Sequence, residues 1–170
     1  IYGSLLKSVF SQSLLFRIPL WFAEGISEYY SVGYDEEAEM FMRDATVFDY
    51  LPYNLDYASG YMNYKAGQAA IHYIVETYGR PKVKEIMDQL RYQRSMEMAL
   101  RNSIGIGTEQ LTKDWKKAMR RRYWPLYADK QEPETYGRRL TDHIKKHHFM
   151  NSKPVFSPDG EWVVFYSDRN

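Results

Sequence analysis

The chain has 170 residues, enough to bury one sizeable core and to begin a second unit. Its 44% hydrophobic and 26% charged residues are ordinary for a globular protein, and 16% aromatic residues, with sixteen tyrosines, argue against disorder. A net charge of +1 gives no electrostatic reason to expect a nucleic-acid partner, and the lack of cysteine excludes disulfides, thiolate metal sites and cysteine nucleophiles while leaving the redox compartment open.

No apolar run approaches the roughly 20 residues that a membrane-spanning helix needs. Lys7, Gln12 and Arg17 interrupt the apolar patches of residues 1–22. The start at Ile1 and the end at Asp168-Arg169-Asn170 read as cuts from something longer. Residues 4–16 have the pattern of an amphipathic helix, with Leu5, Leu6, Val9, Phe10, Leu14 and Leu15 on its apolar face. Pro19 opens the next helix, which is expected to run to about Ser31 and stop near Gly33. Residues 35–51 read as partly helical, with Met40, Phe41 and Ala45 inward and Pro52 closing the segment.

A long helix is predicted over 57–78, where Tyr64, Gly67, Ile71, Ile74, Val75 and Tyr78 recur at helical spacing and Gly79 stops it. Pro81 starts a helix on Val83, Ile86, Met87 and Leu90, and Ser95 caps a short one ending before Gly105. Thr108 is expected to cap another, with Leu111, Trp115, Ala118 and Met119 inward, Lys116, Lys117, Arg120 and Arg121 outward, and Pro125 at its end. Arg120-Arg121-Arg122 then reads as the solvated end of that helix, where cations suit the dipole. Residues 129–150 are polar and basic, a linker with one helical piece at most. From Pro154 to Asp168 the composition changes to strand chemistry, with Pro158-Asp159-Gly160 as a tight turn before Trp162-Val163-Val164-Phe165-Tyr166.

The segment Trp21-Phe22-Ala23-Glu24-Gly25-Ile26-Ser27-Glu28-Tyr29-Tyr30 sets two carboxylates four residues apart, on one face of an otherwise apolar helix. Carboxylates in such surroundings need a cation, a metal or hydrogen-bond donors. Two readings fit: ion pairs with Arg17 or Arg43, or a bound metal. Gly25 lets another backbone pass close to this helix. His72, inside the long helix beside Tyr73, reads as a hydrogen-bonded packing residue. His143 and His147 have i, i+4 spacing, but Ile144 stands beside the first and lysines lie between them, so this stretch reads as solvated.

Pro19 to Tyr29 closely resembles the second zinc-binding segment of gluzincin metallopeptidases, whose third zinc ligand is a glutamate on a helix that comes after an HExxH segment. That resemblance implies that Glu24 is the third ligand and that Glu28 orients a histidine ligand. Tyr64-Lys65-Ala66-Gly67 is similar to the Y-x-x-G segment of related enzymes. Tyr64 would there stabilise the oxyanion of a peptide carbonyl under attack by water. Met42-Arg43-Asp44-Ala45 with Leu51-Pro52 is similar to the helix after the ligand, so the likeness spans roughly residues 15–127. The HExxH segment itself is not in the chain, since none of His72, His143, His147 and His148 precedes Glu24. It would lie before Ile1. The fragment is therefore expected to hold no zinc and to hydrolyse nothing alone, though the intact protein would be a zinc peptidase acting on a peptide or protein.

Pro154-Val155-Phe156-Ser157-Pro158-Asp159-Gly160, with Ser167-Asp168-Arg169 after it, resembles one repeat of a TolB-like β-propeller, an architecture that needs several blades. The fold expected is mainly α. A multi-helix bundle over 1–128, like the gluzincin C-terminal subdomain, precedes a linker over 129–150 and a short β-hairpin from an incomplete blade over 151–170. The resemblances imply an exported protein, periplasmic or cell-envelope associated. They also imply a missing N-terminal catalytic half as partner and protein contacts through the propeller, with neither nucleic acid nor a transmembrane segment. The alternative is a non-catalytic helical scaffold or interaction module of a degenerate peptidase–propeller protein. An apolar face is expected to stay exposed where the missing half would pack.

Overall fold

A computed structural model describes residues 18–93, 95–142, 145 and 150–169. The helix expected over 4–16, Arg17, and the histidines at 143, 147 and 148 lie outside the described residues. The fold is mainly α, with a short antiparallel hairpin near the C-terminus. It divides into two compact units, Ile1–Asp129 and Lys130–Asn170.

In the first unit the helices are α1 (Leu20–Val32), α2 (Glu36–Val47), α3 (Tyr61–Tyr78), α4 (Pro81–Gln93), α5 (Met96–Ile104) and α6 (Thr108–Ala128), with a 3-10 turn at Leu55–Tyr57. Pro19 sits at the N-cap of α1, where its carbonyl accepts the amides of Phe22 and Ala23. Gly33, at φ +78°, ends the helix in a conformation that side chains disfavour. The Asp35 carboxylate caps α2 by accepting the Ala38 amide at 3.0 Å, and Glu36, Glu37 and Glu39 in its first turn complement the dipole.

The inward face of α2 is Ala38, Met42, Ala45 and Thr46. Ala45 is buried and Phe41 packs half-buried against the core, as expected, but Met40 is 52% exposed and Met42 takes the inward place instead. α3 starts at Tyr61, later than expected, because the Asn54 side chain accepts the Asp56 amide and turns 55–57 into a separate 3-10 piece. Pro81 starts α4, Ser95 caps α5 and Gly105 closes it in the left-handed region. Met87 is exposed while Val83, Ile86 and Leu90 are buried.

α6 departs from expectation at both ends. Gly107, not Thr108, occupies its N-cap, and the Glu97 carboxylate from α5 accepts the Thr108 amide at 2.8 Å. Pro125 does not end the helix, which continues to Ala128. So near a C-terminus, the missing N–H forfeits one bond, to the Arg121 carbonyl, and the last turn closes beyond it. The core runs from Trp21 and Phe22 through Met42, Leu55, Ile71, Ile74, Ile86 and Leu100 to Leu111, Trp115 and Tyr123.

One contact fixes α1 on α3. A Cβ added to Gly25 would collide with the Gly67 carbonyl, and one added to Gly67 would collide with the Trp21 carbonyl oxygen. Only two glycines allow backbones to meet this closely, and Gly25 does what its place in the sequence suggested.

In the second unit a 3-10 turn (Pro133–Thr135) precedes β1 (Asn151–Phe156) and β2 (Val163–Ser167), which pair antiparallel with Asn151 opposite Ser167 and Phe156 opposite Val163. A bulge falls between Ser152 and Val155, where Lys153 has φ +52° and Pro154 has no amide to offer a ladder. The Ser157 hydroxyl donates to Asp159 and accepts the Trp162 amide at 2.9 Å, while Gly160 takes φ +74°. Ser157-Pro158-Asp159-Gly160 thus makes the turn. The Ser157 hydrogen bond, with the Glu161 amide, holds the Asp159 carboxyl below its ordinary range.

Candidate functional site at the crossing of two helices

Trp21 and Phe22 anchor α1 in the core, and the indole N–H of Trp21 donates to Asp56 at 2.8 Å. Glu24 directly precedes the crossing glycine of the same helix. It is half-buried and has no hydrogen bond or ion pair among the described residues. Arg43, one of the partners considered for it, sits 3.7 Å from Asp44 instead.

Glu28, one turn on, is engaged. Its Oε2 accepts from the Lys65 ammonium at 3.0 Å, and Lys65 also meets Glu37 at 3.3 Å and the Gln68 side-chain oxygen at 3.5 Å. Lys65 is only 3% exposed. Burial opposes its charge, yet the hydrogen bonds to Glu28 and Glu37 prevail and raise its pKa above the ordinary lysine range. Gln68 ties this group to the next connection by donating to the Gly33 carbonyl at 2.8 Å. Lys65 and Gln68 were missed by the sequence reading. The signal was a lysine set among Ala66, Gly67, Ala69 and Ala70, with no apolar bulk to cover it.

The network continues outward. The Tyr61 hydroxyl donates to Glu37 at 2.5 Å, and this bond, with the Lys65 charge, holds the Glu37 carboxyl below its ordinary range. The Tyr61 ring stacks on Tyr64, centroids 6.3 Å apart at 27°. Tyr64 itself is 38% exposed, and its hydroxyl has no hydrogen bond among the described residues. Glu24 and Tyr64 therefore lie on the two helices that the glycine pair brings together, each with polar atoms uncommitted.

A second cluster joins α2, α3 and α6. The Tyr34 and Tyr123 hydroxyls share a hydrogen bond of 2.8 Å, and Tyr34 stacks on His72 with centroids 4.6 Å apart. Burial pushes the Tyr123 hydroxyl up to about 12 and Tyr34 higher still, while burial lowers His72. His72 packs as expected, by this stacking, but its buried Nδ1 has no hydrogen-bond partner among the described residues. Arg122 is likewise not merely solvated. It grips Glu39 with two bonds, of 2.8 and 3.2 Å, and lies over the Tyr34 and Tyr123 rings.

Among the described residues no group of three or more His, Cys, Asp or Glu side chains is placed to hold a metal ion, and no helix is long and apolar enough to cross a membrane. A family model of the Peptidase MA superfamily matches residues 3–121. The match covers α1 to α5 and most of α6, and the chain belongs to that superfamily. No curated protein and no solved structure matches it. The first unit is thus a peptidase-related helical module.

Proposed function

We propose that this module completes the active site of a gluzincin-type zinc peptidase, with Glu24 as third zinc ligand. The observation that carries the reading is a half-buried carboxylate beside the α1–α3 crossing that lacks a partner among the described residues. Its chemistry suits zinc, which takes carboxylate oxygen alongside imidazole. The two histidines and the glutamate base of an HExxH segment would come from sequence ahead of Ile1. Zinc in such a site polarises a scissile carbonyl and activates water.

The chain's own residues would then have distinct tasks. Glu24 supplies one negative ligand. Glu28 keeps Oε2 on Lys65 and has Oε1 to orient a histidine ligand. The Tyr64 hydroxyl donates a hydrogen bond to the oxyanion of the peptide carbonyl. The hairpin supports a TolB-like propeller as the next module, used for protein contacts, in an exported protein of the periplasm or cell envelope.

The test is zinc content and peptidase activity of the complete protein. Glu24→Ala is expected to lose stoichiometric zinc and activity, and Glu28→Ala to weaken zinc by about 10–100-fold. Unchanged zinc in the Glu24 variant removes the assignment. One observation favours a second reading, a non-catalytic scaffold: Lys65 satisfies Glu28 without any metal. An HExxH segment encoded ahead of Ile1 decides for the enzyme, and its absence for the scaffold.

A further inference from the structure

The exposed side of α6 has features that neither the zinc-site residues nor the core uses. Two adjoining clefts lie along it, of about 520 and 750 Å³, and Lys117 and Arg121, one turn apart, line both. Neighbouring cations are already compensated. Lys113 pairs with Glu109 at 2.7 Å and Arg120 with Asp49 at 3.3 Å. Lys117 and Arg121 have no carboxylate partner among the described residues, and Asp114, which lines the smaller cleft, already accepts from Gln110 at 3.0 Å.

The larger cleft adds an apolar plate. Trp124 is 52% exposed, and the Arg120 guanidinium lies 5.4 Å from its ring centroid, which fixes the indole. Exposed Trp and Arg are the side chains most often found at binding hot spots. Pro125, in the same lining, has no amide, so the Arg121 carbonyl lacks the donor that residue 125 of a regular helix would supply. Two uncompensated cations and an aromatic plate match a peptide that carries carboxylates and an apolar side chain.

We infer that the groove built by Lys117, Arg121, Trp124 and Pro125 docks an acidic peptide segment bearing an apolar side chain. Charge complementarity selects the acid, and Trp124 selects the apolar neighbour. A nucleic acid or an anionic bilayer fits less well. The chain's net charge is only +1, and the flanking cations that would extend a polyanion site are paired.

The 170-residue chain is the reagent for the test. A randomised short-peptide library is selected on it, and the enriched peptide is synthesised and titrated by fluorescence anisotropy. Enrichment of Asp and Glu beside Trp, Phe or Leu is expected. Lys117→Glu/Arg121→Glu is expected to weaken binding at least about 30-fold and Trp124→Ala about tenfold, with added salt weakening the wild type. If charge reversal impairs folding, seen as lost helical circular dichroism, Lys117→Gln/Arg121→Gln replaces it, with about tenfold weakening expected. No enrichment over the charge-altered variant, or binding indifferent to these changes, overturns the proposal. So does tighter binding of a single-stranded oligonucleotide or of phosphatidylserine vesicles than of any enriched peptide.

Discussion

Lys65 carries a full charge into a position 3% exposed, and three acceptors from α1, α2 and its own helix meet it there. Removing the ammonium strands the part-buried Glu28 carboxylate and takes the donor from the Gln68 side-chain oxygen, so Lys65→Met should cost about 3 kcal/mol at neutral pH. Urea denaturation monitored by circular dichroism measures this. The pH dependence has a definite sign. The Glu37 carboxyl lies lower in the folded chain than in the unfolded one, so its contribution is complete above about pH 4.3 and fades as pH falls through the folded value. The Lys65 ammonium is held above its ordinary range, so its contribution is complete below about pH 10.4 and fades only as pH rises further. The gap between wild type and Lys65→Met should therefore be widest between these limits and narrow toward pH 3. A gap equally wide in acid would show that the methionine fails by packing alone. Glu24 and Glu28 were legible as a pair because helical spacing is local. Lys65 was not, because it answers to Glu28 and Glu37 from 37 and 28 positions away, and pattern within one segment carries no trace of such a partner.

At the scale of elements, the α1–α3 crossing governs the geometry that brings Glu24 and Tyr64 onto neighbouring helices. A methyl group on Gly67 would run into the Trp21 carbonyl oxygen, and a backbone atom cannot rotate away as a side chain would. Gly67→Ala should therefore wedge the helices apart and cost about 3 kcal/mol or more, with Gly25→Ala similar. The double variant should be distinctly less damaging than the sum, because the first methyl already separates what the second would strike. Additive losses in a thermal-melting cycle would mean that the glycines act separately. The helix ends were readily legible in the sequence, since Gly33, Gly79 and Gly105 all take positive φ where a helix must stop. The phase of α2 was not. Its run Met40-Phe41-Met42 offers three apolar side chains in a row, and only the surrounding helices decide that Met42 goes inside. Pro125 misled for a related reason: a proline forbids its own hydrogen bond but does not forbid one more turn.

At the scale of the whole molecule, the buried core residues among those described lie between Trp21 and Tyr123, within the first unit. No described residue of the second unit belongs to that core. Its hairpin leaves Val155, Phe156, Trp162, Val164 and Tyr166 between 64% and 71% exposed, and an isolated two-stranded ribbon of this kind is marginal in water. Cooperative stability should therefore belong to the helical unit. A chain ending at residue 129 is expected to keep its helical circular dichroism and a single melting transition within a few degrees of the 170-residue chain. Residues 130–170 alone should show neither dispersed amide resonances nor a transition, and should gain both only when further strands cover the exposed apolar face. A strong loss of helicity or cooperativity on truncation at 129 would mean that the hairpin stabilises the helices, and the helical unit would then owe its stability to strands outside its own core.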